Sequence, residues 1–196
     1  MTGVKRHLEE KITKLLQLFP AVAVIGSRQC GKSTLVKNLL PDWSYYDLER
    51  PDHYQLISND PIGFFSRRNT HVIIDEAQQY PELFQVLRSI IDEDRDSVGR
   101  FILTGSSSPE IVKGLSESLA GRISTIELWP FKASEFYKKP LPTFYTLLPT
   151  IASNPSALLT LSKPLSNDQL YTHWLKGGYP EPRIKAEITP EFYGLW

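Results

Sequence analysis

The sequence predicts an α/β domain with a parallel sheet covered on both faces, followed by an irregular, proline-rich extension. Three observations point there. Short runs of apolar or β-favouring residues recur through the first 128 positions, segments of helical periodicity separate them, and the composition changes after Leu128. Nine of the fifteen prolines and three of the four tryptophans fall in the last 68 residues, which argues against long regular elements there.

Leu8, Ile12, Leu15, Leu16 and Phe19 share one helical face, and Pro20 stops that helix. Ala21-Val22-Ala23-Val24-Ile25 is apolar without alternation, the pattern of a central strand buried on both faces. A glycine-rich turn leads into a helix from Lys32 to about Leu40, ended by Pro41, and Trp43-Ser44-Tyr45-Tyr46-Asp47-Leu48 reads as a second strand because aromatic residues favour the pleated surface. Asn59-Asp60-Pro61 opens a short helix. His71-Val72-Ile73-Ile74 is a third strand, ending in Asp75-Glu76, and Leu83, Phe84, Leu87, Ile90 and Ile91 give the segment from Pro81 to Asp92 a helical face. Arg100 to Thr104 forms a fourth strand that runs into Gly105-Ser106-Ser107-Ser108. A helix from about Pro109 to Leu119 then leads through Gly121-Arg122 to a fifth strand, Ser124 to Leu128. These elements make up a domain of residues 1–128. In the extension, 129–196, Ser166-Asn167-Asp168-Gln169 has the spacing of a capping box, Leu170, Tyr171, Trp174 and Leu175 share a face, and Gly177-Gly178 ends the run.

Bulk properties narrow the function. Lys plus Arg and Asp plus Glu both number 22, so no global field draws the chain towards nucleic acid, and binding there would need a local patch. The single cysteine excludes an internal disulfide framework and fits a reducing compartment. Acidic residues stand where a secretory signal needs its apolar core, and no apolar run approaches the ~20 residues that cross a bilayer. The expected location is the cytoplasm, with no membrane partner.

Gly26-Ser27-Arg28-Gln29-Cys30-Gly31-Lys32-Ser33 matches G-x-x-x-x-G-K-[ST] at every fixed position, between a strand and a helix. Such a loop turns successive backbone N–H groups onto a β-phosphate, its lysine reaches the β- and γ-oxygens, and its serine hydroxyl ligates Mg²⁺. The helix start adds partial positive charge. Asp75 at the end of an apolar strand suits the same cation, and Glu76, one residue on and facing elsewhere, suits orienting or deprotonating a water. A solvated turn that caps the next helix is the competing reading of that acidic pair. Thr104 and Ser106 are open to two readings, contact with a γ-phosphate or lytic water and ordinary turn hydrogen bonding. Arg122 likewise reads as a neutraliser of transition-state charge, in its own chain or on a neighbour, or as a surface arginine paired with a carboxylate. Cys30 occupies a variable loop position, where a small side chain filling space is favoured over a redox switch.

Together these residues resemble the predicted ATPases of the AAA+ superfamily in which a P-loop domain precedes a C-terminal domain of unknown role. The resemblance rests on Gly26, Arg28, Gln29, Gly31, Lys32, Ser33 and Thr34 in the loop, Asp75, Glu76 and Gln78 after the third strand, Leu103 to Ser106, Leu119 to Arg122, and Gly177 to Pro182 at the junction with the second domain. It implies a P-loop NTPase αβα sandwich with a five-stranded, mainly parallel sheet of order 5-1-4-3-2. It also implies ATP with Mg²⁺ as ligands, the whole loop from Gly26 to Thr34 at the nucleotide, Ser33 and Asp75 at the metal, and Lys32, Glu76, Ser106 and Arg122 in catalysis. By the same resemblance members continue into a further domain, whereas this chain ends on Phe192-Tyr193-Gly194-Leu195-Trp196. A chain cut short there is expected to expose an aromatic extension suited to self-association or a protein partner.

Two functions follow as expectations: slow or regulated ATP hydrolysis that moves a C-terminal module, and a nucleotide-binding interaction module with negligible turnover because the chain is truncated. A DNA-remodelling motor is disfavoured by the balanced charge. Without an N-K-x-D segment a Ras-type GTPase is disfavoured too, and in a small-molecule kinase Glu76 would be idle.

Overall fold

Ala21–Ile25 forms β1, and all five of its residues are buried. Its unbroken apolar run has two causes: β1 has parallel neighbours on both edges, and helices cover both of its faces. The computed structural model describes residues 4–68, 70–140, 144–160 and 165–188. The aromatic terminus from Phe192 to Trp196 lies outside the described residues.

The other strands are β2, Ser44–Asp47, β3, Val72–Asp75, β4, Phe101–Gly105, and β5, Ile123–Glu127. They lie in the order β2-β3-β4-β1-β5, the expected order read from the opposite edge. All four pairings are parallel. Six helices accompany the sheet among the described residues before Pro130: α1, Glu9–Leu16, α2, Lys32–Leu39, α3, Pro51–Ser58, α4, Pro61–Arg67, α5, Leu83–Glu93, and α6, Pro109–Ser118.

The period-two alternation of the strands sorts the core into two layers. Ala21, Ala23, Ile25, Val72, Ile74, Phe101 and Leu103 face α3 to α6 and meet Ile57, Phe64, Phe65, Leu87 and Ile111. Val22, Val24, Ile73 and Ile102 face the other way, against Ile12 and Leu16 of α1 and Leu35 and Val36 of α2. The second layer is the one that holds the helix following the phosphate-type loop.

The structure adds α3, which the sequence reading leaves unassigned. Pro51 stands in its first turn, where a missing N–H removes no helical bond.

The chain divides into two compact units, Leu8–Trp129 and Met1–His7 with Pro130–Trp196. The compositional boundary falls at 128/129. Arg6 and His7 go with the second unit because Glu135 holds them: its carboxylate accepts from the His7 N–H at 2.8 Å and the Lys132 N–H at 2.9 Å, and pairs with Arg6 at 3.2 Å. That unit has four α-helices among the described residues: α7, Ala133–Phe136, α8, Phe144–Leu147, α9, Asn167–Lys176, and α10, Pro180–Ile188. The capping box of α9 forms as expected, with the Ser166 hydroxyl accepting from Gln169 N–H at 3.1 Å and the Gln169 side chain accepting from Ser166 N–H at 3.0 Å. Pro180 and Pro182 both sit in the first turn of α10, where proline is tolerated. The shared face of α9 lies open: Trp174 is 70% and Leu175 87% exposed. No helix among the described residues is long and apolar enough to cross a membrane.

Candidate functional site

The site lies where β1 ends. Gly26 leaves the strand with its N–H donating to the Gly105 carbonyl at 3.2 Å, while Leu128 N–H donates to the Ile25 carbonyl at 2.7 Å. A Cβ on Gly26 would stand 2.2 Å from the Leu128 oxygen, so glycine is the residue that fits. Gly31 then takes φ +96° as the cap of α2, a left-handed conformation that glycine adopts at no steric penalty.

Within this loop Arg28 and Gln29 are exposed, as is Thr34 in the first turn of α2. Cys30 is fully buried in the layer of Val24, Leu35 and Val36. Its thiol fills core space rather than facing solvent, in keeping with the space-filling reading. The Ser27 hydroxyl is buried and makes no hydrogen bond among the described residues.

Lys32 is 4% exposed. Its ammonium donates to the carbonyls of Gly26 at 3.3 Å and Ser27 at 3.1 Å. No carboxylate pairs with it among the described residues. A buried cation answered only by two neutral carbonyls is under-compensated, since desolvation of a charge is repaid fully only by an opposite charge.

Asp75, the last residue of β3, is 3% exposed and accepts two hydroxyl donors. Thr104 donates to Oδ1 and Tyr45 to Oδ2. Strand register explains both. Ile74 lies opposite Leu103, which brings Thr104 level with Asp75 on the neighbouring strand. On the other side Tyr45 lies opposite Ile73, two residues before Asp75 and so on the same face. Burial first, and then the bond to Asp75, push the Tyr45 phenol well above its ordinary value, so that it stays an O–H donor.

Glu76 follows with φ +53° and ψ +49°, a left-handed turn that carries its side chain away from the strand. Such a conformation costs a non-glycine residue of order 1–3 kcal/mol and persists where the surroundings hold it. Here they do: the Glu76 N–H donates to the Thr104 hydroxyl at 3.3 Å, and the Gln78 side-chain amide donates to the Glu76 carboxylate. Gln78 also borders a cavity of about 450 Å³ between α5 and α6, lined by Phe84, Ile111 and Gly114 among others. Lys32, Ser33 and Asp75 do not line it.

The structure therefore brings the loop, Lys32, Ser33, Asp75, Glu76 and Thr104 to the carboxyl ends of the central strands. Ser106 lies one residue beyond β4, half-buried, without a side-chain hydrogen bond among the described residues. Arg122 is placed elsewhere. It precedes β5, its carbonyl accepts from Ala21 N–H at the start of β1, and its guanidinium forks onto Asp92 with two 2.8 Å bonds. That is the opposite end of the strands from the loop, so this structure does not bring Arg122 to its own chain's loop. The carboxylate-paired reading describes it in this chain, and a role on a neighbour would require breaking the Asp92 fork. Tyr45 is the site residue that the sequence reading missed. A tyrosine two positions before the end of a strand adjoining the acidic strand was the available signal, but its use requires the pairing.

A magnesium–nucleotide pair fits these residues. Among the described residues no cluster of three or more His, Cys, Asp or Glu side chains is set to hold a metal; a cation here would be held by one carboxylate, one hydroxyl and ligand phosphates. The orphaned Ser27 hydroxyl and the uncompensated Lys32 supply a donor and a positive charge for an anion at the loop.

The family described as an AAA domain matches residues 18–137. Uncharacterised proteins of Mycobacterium bovis and Mycobacterium tuberculosis are each 37% identical over 127 residues, 63% of this chain. The chain spans 28% of the length of those relatives. Among solved structures, a Walker-type ATPase of Pyrococcus abyssi is similar over 97% of this chain and 69% of its own, with 18% identity and a TM-score of 0.56. A signal transduction ATPase with numerous domains and a tetratricopeptide repeat sensor, from Pyrococcus horikoshii, is similar over 93% of this chain and 29% of its own, at 14% identity and a TM-score of 0.55. At these identities the two structures speak for the fold alone.

Proposed function

The chain belongs to the AAA domain family, and on that premise we propose that it binds ATP with Mg²⁺ and hydrolyses it slowly or under regulation. The observation that carries this reading is Lys32, a buried cation with no carboxylate partner among the described residues, held at the mouth of a loop whose amides suit phosphate. On this reading the backbone from Gly26 to Thr34 and the Lys32 ammonium hold the phosphates, while Ser33 and Asp75 hold the cation. When bound, Mg²⁺ supplies neutralisation of charge on the phosphate oxygens. Glu76 accepts a proton from, or orients, the attacking water. Thr104 joins Ser106 as a candidate to register the third phosphate, because Thr104 already touches both the Asp75 carboxylate and the Glu76 N–H.

The output of the cycle on this reading is movement of the C-terminal unit, in the cytoplasm. Tyr171, Trp174 and Leu175 of α9 are 57%, 70% and 87% exposed, which supports self-association or a protein partner through the extension. If the chain self-associates there, Trp174→Glu with Leu175→Glu shifts its mass in light scattering towards the monomer. An unchanged mass distribution removes α9 from that role.

Hydrolysis is tested by phosphate release from ATP with Mg²⁺ and with EDTA. The expected result is release that requires the metal. A second reading, binding without appreciable turnover, draws support from the hydroxyls on both Asp75 oxygens and from the Gln78 amide on Glu76. Tight binding of Mg-ATP with no release selects it, and absence of binding in either condition overturns both.

A further inference from the structure

Tyr45 reaches across from β2 to Asp75, one of the two side chains assigned above to the cation. We propose that Tyr45 is a further residue of the cation site: its hydroxyl occupies Asp75 Oδ2 in the absence of metal, and Mg²⁺ displaces it on binding. The proposal rests on the ATP reading, since the cation arrives with a nucleotide phosphate.

Several features make this more than a chance contact. The phenol donates to Asp75 Oδ2 while Thr104 donates to Oδ1, so each oxygen of this buried carboxylate already has a hydroxyl donor. The ring is fixed on its strand by register opposite Ile73, and the Lys37 ammonium stands 3.7 Å from its centroid. Lys37 belongs to α2, the helix that also carries Ser33. Tyr45 therefore spans from β2 to the helix and the acidic strand whose ends must cooperate on the cation. With Thr104 already on Oδ1, a cation approaching Oδ2 meets the Tyr45 hydroxyl, and the two compete for that oxygen. Nucleotide without metal has no such competitor, because its phosphates meet the loop and Lys32.

The consequence is a site that discriminates between nucleotide alone and nucleotide with a divalent cation. A hydrogen bond to a charged group is worth about tenfold or more in an equilibrium constant. Tyr45→Phe keeps the ring beneath Lys37 and removes only the competing hydroxyl.

The experiment is titration calorimetry of ADP in Mg²⁺ and in EDTA, for the wild type and Tyr45→Phe. The expected result is that the ratio of the two affinities, metal over EDTA, is roughly tenfold larger in the variant. A ratio equal to or below that of the wild type overturns the proposal while leaving the ATP reading in place. Failure of the wild type to bind ADP in either medium overturns both. A second readout does not depend on the variant folding: Mg-ADP added to the wild type should produce a tyrosine ultraviolet difference spectrum that ADP in EDTA does not. Identical spectra in the two media count against displacement of the phenol.

Discussion

Replacing Lys32 by alanine is expected to weaken Mg-ATP binding by a hundredfold or more without lowering the stability of the nucleotide-free protein. The two effects have opposite signs for one reason. In the free chain Lys32 is 4% exposed and faces only the Gly26 and Ser27 carbonyls, so its charge contributes a desolvation penalty that no carboxylate offsets. Truncation removes that penalty. In the complex the same ammonium meets phosphate, and breaking a buried charge pair by deleting one partner costs about 3–5 kcal/mol, which is roughly two to four powers of ten in affinity. Thermal melting reads both signs at once. Ligand at a roughly hundredfold excess over Kd stabilises by about 2.7 kcal/mol, and for a chain of this size each kcal/mol is worth roughly 2–4 °C. The wild type should therefore rise by roughly 5–10 °C with saturating Mg-ATP, and the variant, melting no lower when free, should not respond. A variant that melts well below the wild type and still responds to Mg-ATP would show that Lys32 supports the loop rather than the ligand.

The residues of the loop were legible in the sequence because their chemistry is local: a glycine that must pass near Leu128, another in a left-handed turn and a lysine one residue later all lie within eight positions. Of the strands β1, β3 and β4 were equally legible, since burial on both faces leaves a largely apolar run. What could not be read was the register between strands. Thr104 and Ser106 have the same spacing relation to a turn, and only the pairing of β3 with β4, Ile74 against Leu103, sets Thr104 beside Asp75 and leaves Ser106 beyond the strand. Tyr45 escaped for the same reason, as its neighbour Asp75 is 30 residues away in sequence. Arg122 was misleading in the opposite sense. Its place before β5 is visible in the chain, but the parallel direction of β5 beside β1 is what sends it to the end of the strands away from the loop and into the fork with Asp92. The helices α3 and α10 were not read from the sequence, although Pro51, Pro180 and Pro182 each occupy a first helical turn, where the missing N–H would have had no partner.

Glu76→Gln separates binding from chemistry, and its expected effect is a loss of about 10²- to 10⁴-fold in phosphate release, the usual contribution of a positioned general base, with Mg-ATP binding retained. The structure gives reasons for both halves. Binding is proposed to rest on Lys32, Ser33 and Asp75, none of which uses the Glu76 side chain as a hydrogen-bond partner among the described residues. The left-handed turn at Glu76 is held by its own N–H on Thr104, which the substitution leaves intact. A glutamine is the same size as the glutamate and its carbonyl oxygen can still accept from the Gln78 amide, so the side chain keeps its place while losing the basic oxygen. Single-turnover phosphate release, measured beside the thermal shift by Mg-ATP, distinguishes the outcomes. Release within threefold of the wild type would remove Glu76 from the chemistry and return the acidic pair to the role of a turn that caps the following segment. Loss of the thermal shift together with loss of release would place Glu76 in nucleotide binding instead, where its carboxylate, already engaged by Gln78, has no evident contact to offer an anion.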